Sequence, residues 1–249
     1  DVVINLQRFA SSGILTVFSK AKKTIGFKKN PLSLFFTQAF EHQIGNDKHE
    51  VERNLQLIKH LTDNSIVKPK LYPAKSDFEN IQQYTQTPYI CLAPASVWFT
   101  KQLPIQKWQE LIKKADSKYT IYLLGSPSDI TLCEKLIENN KARNIFNLAG
   151  KLNFLESTAL MQGAKMNFVN DSTPLHLASA VNAPVTAFFC STIPEFGFGP
   201  LSDNAAILQT KLHLDCRPCG LHGKKACPKG DFECAFSIVI SRIEDTLGN

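Results

Sequence analysis

Residues 170–180 form the stretch Asn-Asp-Ser-Thr-Pro-Leu-His-Leu-Ala-Ser-Ala, which joins an apolar segment to a helix of small residues. Met166 to Val169, just before it, is predicted to be a short buried strand. Thr173 is predicted as the N-cap and Pro174 as the first helical residue. Proline suits this position because the backbone N–H of the first helical residue has no partner within the helix, so its absence removes no hydrogen bond. A well-capped core helix without any ligand would show the same pattern, so the stretch alone leaves its role open.

The start of this helix is also a candidate anion site. The positive end of the helix dipole and the unpaired amides of a first turn favour phosphate. The amides expected to point at one spot are those of Ser172, Thr173, Leu175 and His176.

From Tyr89 onward, short apolar strands alternate with helices. The pattern predicts strands at 89–93, 119–124, 145–148, 166–169 and 185–190, and helices at 104–115, 127–140, 154–161 and from residue 174. Such alternation builds a parallel sheet that binds ligands at the carboxyl ends of its strands. Residues 88–249 are therefore predicted to form one Rossmann-like α/β domain with its site at that edge.

Residues 1–87 are predicted to be the closing part of a second α/β domain, followed by a linker. Strands are predicted at 1–6 and 23–27 around a helix at 11–21, and a further helix at 49–61 has an apolar period of 3.6 residues. Residues 31–47 lack a regular pattern, and the three prolines in 62–88 indicate the linker. Because Asp1 opens what is already a strand, we expect the chain to be part of a longer protein.

The composition is typical of soluble globular proteins. The 249 residues are 43% hydrophobic and 20% charged, and no apolar run reaches the roughly 20 residues that cross a bilayer. No signal peptide opens the sequence, which predicts a cytoplasmic protein. The net charge of +6 includes lysine-rich stretches near residues 20–29 and 211–229, which suit either solvated surface or an anionic membrane surface. Aromatic and basic residues are not interleaved, so no nucleic acid partner is expected.

The predicted strand-end loops carry polar and glycine residues. Lys101 is placed to neutralise a diphosphate, and Gly125, Ser126 and Asp129 can form a tight turn beside a nucleoside. An exposed lysine and an ordinary helix start are the alternatives for these residues. The dinucleotide fingerprint, the P-loop, the nucleophile elbow and the zinc-protease motif are all missing, which argues against those enzyme classes.

These elements, in this order, resemble glycosyltransferase family 9, the bacterial heptosyltransferases of lipopolysaccharide core assembly. Residues 170–180 are similar to the family motif D-[ST]-G-x-x-H-x-A-A, with Asp171, Ser172 and His176 at their motif positions, although Pro174 removes one backbone donor from the turn. The other matching segments are Ala93-Pro94-Ala95 through Lys101 and Trp108, Leu123 to Ser126, Asn147 to Lys151, and Ala183 to Phe189 with the loop 191–200.

The resemblance implies a GT-B fold, in which a C-terminal Rossmann-like domain holds most of a nucleotide sugar. It implies inverting transfer of a sugar from a nucleoside diphosphate, with ADP-heptose as the expected donor, to a lipid-linked saccharide acceptor, without a required metal. The chain is then expected at the inner face of the membrane. The carboxylate that would act as the base is expected to precede Asp1.

The resemblance also implies roles for individual residues. Lys101 and the amides of Ser172 and Thr173 would hold the diphosphate, and Asp171 would accept hydrogen bonds from sugar hydroxyls. His176 is either a diphosphate contact or a structural histidine. The full donor-binding set is Lys101, Gly125, Ser126, Asp129, Gly150, Lys151, Asp171, Ser172, Thr173 and His176.

Four cysteines cluster late in the chain, in the segment 216–234. One C-x-x-C pair followed by two more thiols predicts a structural zinc site formed by Cys216, Cys219, Cys227 and Cys234. The second pair lacks that spacing, so reduced buried thiols and disulfides are alternatives. The other three cysteines are expected to be small buried hydrophobes; they are Cys91, Cys133 and Cys190.

Two other functions are alternatives to glycosyl transfer. A sugar-nucleotide-binding module without catalysis is favoured by Pro174 and by the expected absence of the first part of the protein. A zinc-stabilised nucleic-acid-binding protein is the weaker alternative, based on the thiols and the net charge.

Overall fold

The computed structural model describes residues 1–63, 65–115, 117–140 and 144–240. The chain forms two compact units, the first made of residues 1–68 and 195–198, the second of 69–194 and 199–249. The last nine residues of the predicted second domain, 241–249, lie outside the described ranges.

The first unit is a small parallel α/β structure. Its sheet has the order β1-β2-β3, with β1 at Val2–Asn5, β2 at Lys23–Phe27 and β3 at Gln38–Phe40. Helix α1 (Ala10–Val17) connects β1 to β2, and α2 (Glu50–Leu55) follows β3. The strand β3 was not predicted, because residues 38–40 are only partly buried and show no alternation. The predicted helix at 49–61 ends as an α-helix at Leu55 and continues as a 3-10 turn to Ile58.

Arg53 organises the end of the first unit around buried polar groups. Its guanidinium is almost fully buried and donates to the Glu50 carboxylate at 2.7 Å and to the Phe196 carbonyl at 2.6 Å. His42 Nε2 lies 3.0 Å from the Glu50 carboxylate on the other side. Residues 195–198 therefore pack as part of this unit through main-chain contacts with a buried charge.

The Glu50 cluster makes the first unit sensitive to acid. Burial alone would raise the pKa of the Glu50 carboxyl, but hydrogen bonds from His42 and Arg53 outweigh burial and leave that pKa below its usual value. A depressed carboxyl pKa stabilises the fold above the pKa of the unfolded chain, and this contribution disappears as the pH falls through the folded pKa. We expect thermal unfolding, followed by circular dichroism, to shift to lower temperature as the pH falls below about 4. The shift should be smaller in Glu50→Gln, and an identical pH dependence in both proteins would contradict the assignment.

The second unit is a six-stranded parallel sheet with the order β6-β5-β4-β7-β8-β9. The strands are β4 (Tyr89–Ala93), β5 (Thr120–Leu123), β6 (Ile145–Asn147), β7 (Asn167–Asn170), β8 (Val185–Phe189) and β9 (Ala205–Gln209). The helices are α3 (Lys75–Ile81), α4 (Ile105–Ala115), α5 (Ile130–Glu138), α6 (Phe154–Gly163), α7 (Thr173–Ala180) and α8 (Glu233–Phe236). The predicted parallel sheet is confirmed.

Both faces of this sheet are covered. Along β4, Ile90 and Leu92 point into one hydrophobic cluster, whereas Tyr89 and Cys91 point into the other, as the two-residue period of a strand requires. Burial on both faces explains why the central strands are continuous apolar runs that sequence patterns find easily.

Residues 69–87 pack in the second unit, although the sequence analysis grouped them with the first domain. Helix α3 lies against α6, where Asn80 donates to the Glu156 carboxylate at 2.7 Å and Ile81 enters the core. The division between the units, at Lys68, falls within the predicted linker 62–88.

Helix α7 begins one residue earlier than predicted. Its N-cap is Ser172, which has an extended backbone, and Thr173 is the first helical residue. Pro174 is then the second helical residue, a position that likewise needs no backbone donor. Within the described ranges, no helix combines the length and apolar character needed to span a bilayer.

Candidate functional site

The reversal of strand order in the second unit places two loops beside each other. Strand β4 pairs with β5 on one side and with β7 on the other. Strands β5 and β6 therefore extend the sheet to one side of β4, and β7, β8 and β9 extend it to the other side. Doubly wound sheets bind ligands in the crevice that such a reversal opens at the carboxyl ends of the strands. Lys101 lies in the loop after β4, and Asp171 directly follows β7.

Lys101 and Asp171 form an ion pair at this crevice. The Lys101 Nζ lies 2.7 Å from Asp171 Oδ2, and the two side chains are 15% and 7% exposed. Thr192, from the loop after β8, donates to the same carboxylate oxygen at 2.6 Å. Both charged residues were predicted to lie at one ligand site, but their direct contact was not predicted. The crevice therefore holds one cation and one anion with little access to water.

Asn170 joins the two loops behind the ion pair, a role that the sequence analysis missed. Its fully buried side chain accepts from the Leu103 amide at 2.9 Å and donates to the Pro94 carbonyl at 2.8 Å. A second asparagine, at the end of the mostly apolar stretch 166–170, was the only sequence signal for it. The amide thus fixes the loop after β4 relative to the end of β7.

Replacing Asn170 with alanine is expected to destabilise the second unit by about 3 kcal/mol, because it leaves a buried donor and a buried acceptor unpaired. The control is Asn153→Ala, which removes an exposed helix cap bonded to the Glu156 amide at 2.9 Å and should cost about 1 kcal/mol. Chemical denaturation followed by tryptophan fluorescence measures both, since Trp98 and Trp108 lie in this unit. Equal losses for the two variants would rule out the bridging role.

The loops after β5 and β6 are also tied together. Asp129 accepts from the Ser126 amide at 2.8 Å and from the Ser126 hydroxyl at 2.7 Å, which forms a helix cap. The Gly150 amide donates to the Gly125 carbonyl at 2.9 Å, and Gly150 has a φ of +73°, which favours glycine. These contacts correspond to the alternative that the sequence left open, an ordinary helix start.

The remaining predicted donor residues lie at or near the surface of the same edge. Lys151, Thr173 and His176 are exposed, and Ser172 is half-buried. The Leu175 amide donates to the Ser172 carbonyl at 3.0 Å, so it is not a free donor as predicted. The first turn of α7 therefore offers a ligand fewer amides than the sequence suggested.

Arg217, which the sequence analysis did not single out, holds the end of β8. Its guanidinium donates to the carbonyls of Cys190 at 2.8 Å and Thr192 at 2.7 Å, and to the Gln209 side chain at 2.7 Å. These bonds fix the main chain of the residue whose hydroxyl contacts Asp171. Its position between two cysteines gave no indication of this role.

The four late cysteines surround one small pocket. Its volume is about 30 Å³, and its lining includes Cys216, Cys219, Cys227 and Cys234. All seven cysteines of the chain are free, and Cys91, Cys133 and Cys190 are buried as predicted. Burial raises the pKa of Cys219, and it raises that of Cys234 to about 11, so both thiols are protonated at neutral pH. Across the described ranges, no three side chains of metal-binding type are placed to hold an ion as they stand.

The sequence matches the model of one protein family over most of its length. The model described as "Glycosyltransferase family 9 (heptosyltransferase)" matches residues 1–228. The chain belongs to glycosyltransferase family 9. The family that the motif at 170–180 indicated is therefore confirmed.

Individual relatives of this family 9 chain include enzymes of lipopolysaccharide assembly. It is 26% identical over 219 residues to lipopolysaccharide heptosyltransferase 3 of Escherichia coli, a match that covers 82% of the chain and 63% of that protein. The chain spans less than two thirds of the length of this and the other leading curated relatives, with matches covering 27%, 63% and 46% of theirs.

Solved structures of family 9 proteins share the fold. The ADP-heptose lipopolysaccharide heptosyltransferase II of E. coli superimposes with a TM-score of 0.79 at 20% identity, covering 99% of this chain and 75% of that one. The E. coli heptosyltransferase WaaC, solved with ADP, gives a TM-score of 0.63 at 24% identity and covers 83% of this chain and 65% of that one. The predicted GT-B fold class is thus confirmed.

Proposed function

We propose that this protein transfers a sugar, with inversion, from a nucleoside diphosphate sugar to an acceptor of the lipopolysaccharide core, and that its second unit binds the donor. The observation that carries the proposal is the Lys101–Asp171 pair at the reversal point between β4 and β7. Membership of family 9 and the solved relatives that use ADP-heptose or bind its 2-fluoro analogue support heptose as the sugar and ADP as the nucleotide.

The charged pair suits a leaving diphosphate. Lys101 would exchange its bond to Asp171 for a charge-assisted bond to a phosphate oxygen, because a diphosphate carries more negative charge than one carboxylate. The carboxylate of Asp171 would then accept hydrogen bonds from sugar hydroxyls, while the Thr192 hydroxyl continues to hold it. Amides at Ser172 and Thr173 would add the positive end of α7. Under this proposal the diphosphate charge is stabilised without a metal ion.

The loops after β5 and β6 would form the nucleoside side of the donor site. Gly125, Ser126, Asp129, Gly150 and Lys151 lie in loops at the carboxyl edge of the same sheet. Exposed Ser126 and Lys151 are the side chains in this group with free access to a ligand. His176, exposed at the end of the first turn of α7, would contact the diphosphate from the other side.

The acceptor would be a lipid-linked saccharide at the inner face of the membrane. Lysines at 20–29 in the first unit supply a basic stretch that suits an anionic surface. Seven unpaired cysteines are typical of a reducing compartment and support a cytoplasmic location.

A second candidate is a sugar-nucleotide-binding protein without transfer activity. One observation favours it: Pro174, which has no backbone N–H, lies in the first turn of α7, where an anion would be bound.

Calorimetric titration with ADP, ADP-heptose and a GDP-sugar tests donor binding. We expect ADP and ADP-heptose to bind, GDP-sugar to bind more weakly, and addition of Mg²⁺ to leave these affinities unchanged. Absence of binding to every nucleotide would contradict both candidates. Transfer of heptose to a lipid-linked core acceptor then distinguishes the enzyme from the binding protein.

A further inference from the structure

We propose that Cys216, Cys219, Cys227 and Cys234 together bind one thiophilic transition-metal ion, with zinc as the expected ion. The four residues come from a segment, 211–232, that has no regular helix or strand, and from the start of α8. Despite this irregular path, all four side chains line the same pocket of about 30 Å³. Such convergence of four thiols from positions up to 18 residues apart is the observation behind the proposal.

The chemistry of the pocket fits a metal better than a molecule. Its volume of about 30 Å³ is small, so the four thiols that line it can approach a single ion. Four thiolates are a complete tetrahedral ligand set for zinc, and a C-x-x-C pair supplies two neighbouring corners of such a set.

Contacts of the thiols in this structure are those of protonated side chains. The Cys219 sulfur donates to the Cys216 carbonyl at 3.3 Å, and the Cys227 sulfur lies 3.9 Å from the Asp231 carboxylate. Metal–sulfur bonds of about 2.3 Å require these side chains to rotate toward the centre of the pocket and to lose their protons. The pocket is partly enclosed by the hydrophobic core through Phe232 and Leu214, which would keep water away from the metal.

The cysteine segment also lies against the residue proposed to hold the diphosphate. The Lys224 amide donates to the Thr100 hydroxyl at 2.8 Å, and the Thr100 amide donates to the Lys224 carbonyl at 3.1 Å. A Cβ atom added at Gly223 would lie 3.0 Å from Lys101 Cγ, so a side chain at this position would press against the lysine. A metal that fixes the segment would therefore position Lys101. This second part rests on the proposed donor site, whereas metal binding itself does not.

Metal content tests the site directly. Protein purified without chelator and measured by plasma mass spectrometry should contain about one zinc or iron ion per chain, as four thiolates require. Cys219→Ala should lose most of the metal, whereas Cys133→Ala, which removes a buried thiol in α5, should retain it. Replacing the metal with Co²⁺ in the parent protein should give the intense near-ultraviolet absorption of a thiolate-to-cobalt complex.

Failure of Cys219→Ala to fold would leave the metal content and the Co²⁺ spectrum of the parent protein as the decisive measurements. A metal content far below one per chain, a Co²⁺ spectrum without thiolate absorption, or equal metal loss in Cys133→Ala would overturn the site. For the positioning role, removing the metal from folded protein should weaken ADP binding roughly 10-fold. Unchanged ADP affinity would overturn that role, and metal binding without any ADP binding would overturn the proposed function alone.

Discussion

Replacing Lys101 with methionine is expected to weaken ADP and ADP-heptose binding by roughly 10- to 100-fold, because a charge-assisted bond to phosphate contributes about 1.5–3 kcal/mol. Methionine keeps an unbranched, apolar side chain, so packing of the partly buried stem is largely preserved. Both ligands carry the diphosphate and should lose affinity equally. Calorimetric titration of each ligand measures the effect.

The loss of ADP affinity in Lys101→Met has a second cause, which a control variant can separate from the loss of the bond to phosphate. Without the lysine, the 7% exposed carboxylate of Asp171 has no cation beside it and repels phosphate. The double variant Lys101→Met with Asp171→Asn removes this repulsion and should recover part of the ADP affinity. Lys107→Met, which removes a lysine paired with Glu110 on α4, should leave binding unchanged. ADP affinity equal to that of the parent in Lys101→Met would refute the diphosphate role.

Replacing Asp171 with asparagine is expected to separate the two ligands. ADP-heptose affinity should fall roughly 10-fold, because a neutral amide accepts weaker hydrogen bonds from sugar hydroxyls than a carboxylate does. ADP affinity should be unchanged or higher, because the carboxylate that competes with phosphate for the Lys101 ammonium at 2.7 Å is gone. Titration of both ligands against parent and variant gives the ratio directly.

Thr192→Val provides the matched control for Asp171→Asn. It removes the hydroxyl that donates to Asp171 at 2.6 Å but leaves both charges of the ion pair in place. It should reduce ADP-heptose binding less than Asp171→Asn and leave ADP binding unchanged. Equal loss of ADP and ADP-heptose in Asp171→Asn would mean that Asp171 supports the site as a whole and not the sugar.

The sequence predicted the central part of the second unit well. Strand β4 lies at the predicted residues 89–93, because strands buried on both faces are continuous apolar runs. Helix α4, predicted at 104–115, spans Ile105–Ala115. The edge strand β9 was missed, since its side chains are exposed or only partly buried and its sequence, Ala-Ala-Ile-Leu-Gln, does not alternate between apolar and polar residues. Helix α3 was missed because the prolines around it suggested a linker.

The site was predicted as a set of loops but not as a set of contacts. Parallel-sheet reasoning placed Lys101 and Asp171 at one edge, since both follow strands of the same sheet. Their ion pair, the Asn170 bridge and the Arg217 clamp depend on how loops far apart in sequence pack. No local pattern encodes such contacts. Asp129 is the opposite case, because its capping role is indicated by its position three residues after Ser126.

Residues 195–198 limit how this protein can be dissected. The chain leaves the first unit after Lys68, returns to it at Glu195 and leaves it again after Phe198, so no single cut separates the two units. A fragment that starts at Pro69 would retain Phe196 and Phe198 but lose Arg53, whose guanidinium holds the Phe196 carbonyl and lies over the Phe198 ring. The Phe196 carbonyl and the Phe198 ring, which lie shortly after Thr192 in the chain, would then lack their native partner. Failure of such a fragment to bind ADP would consequently say nothing about Lys101, and donor binding is best measured on the 249-residue chain.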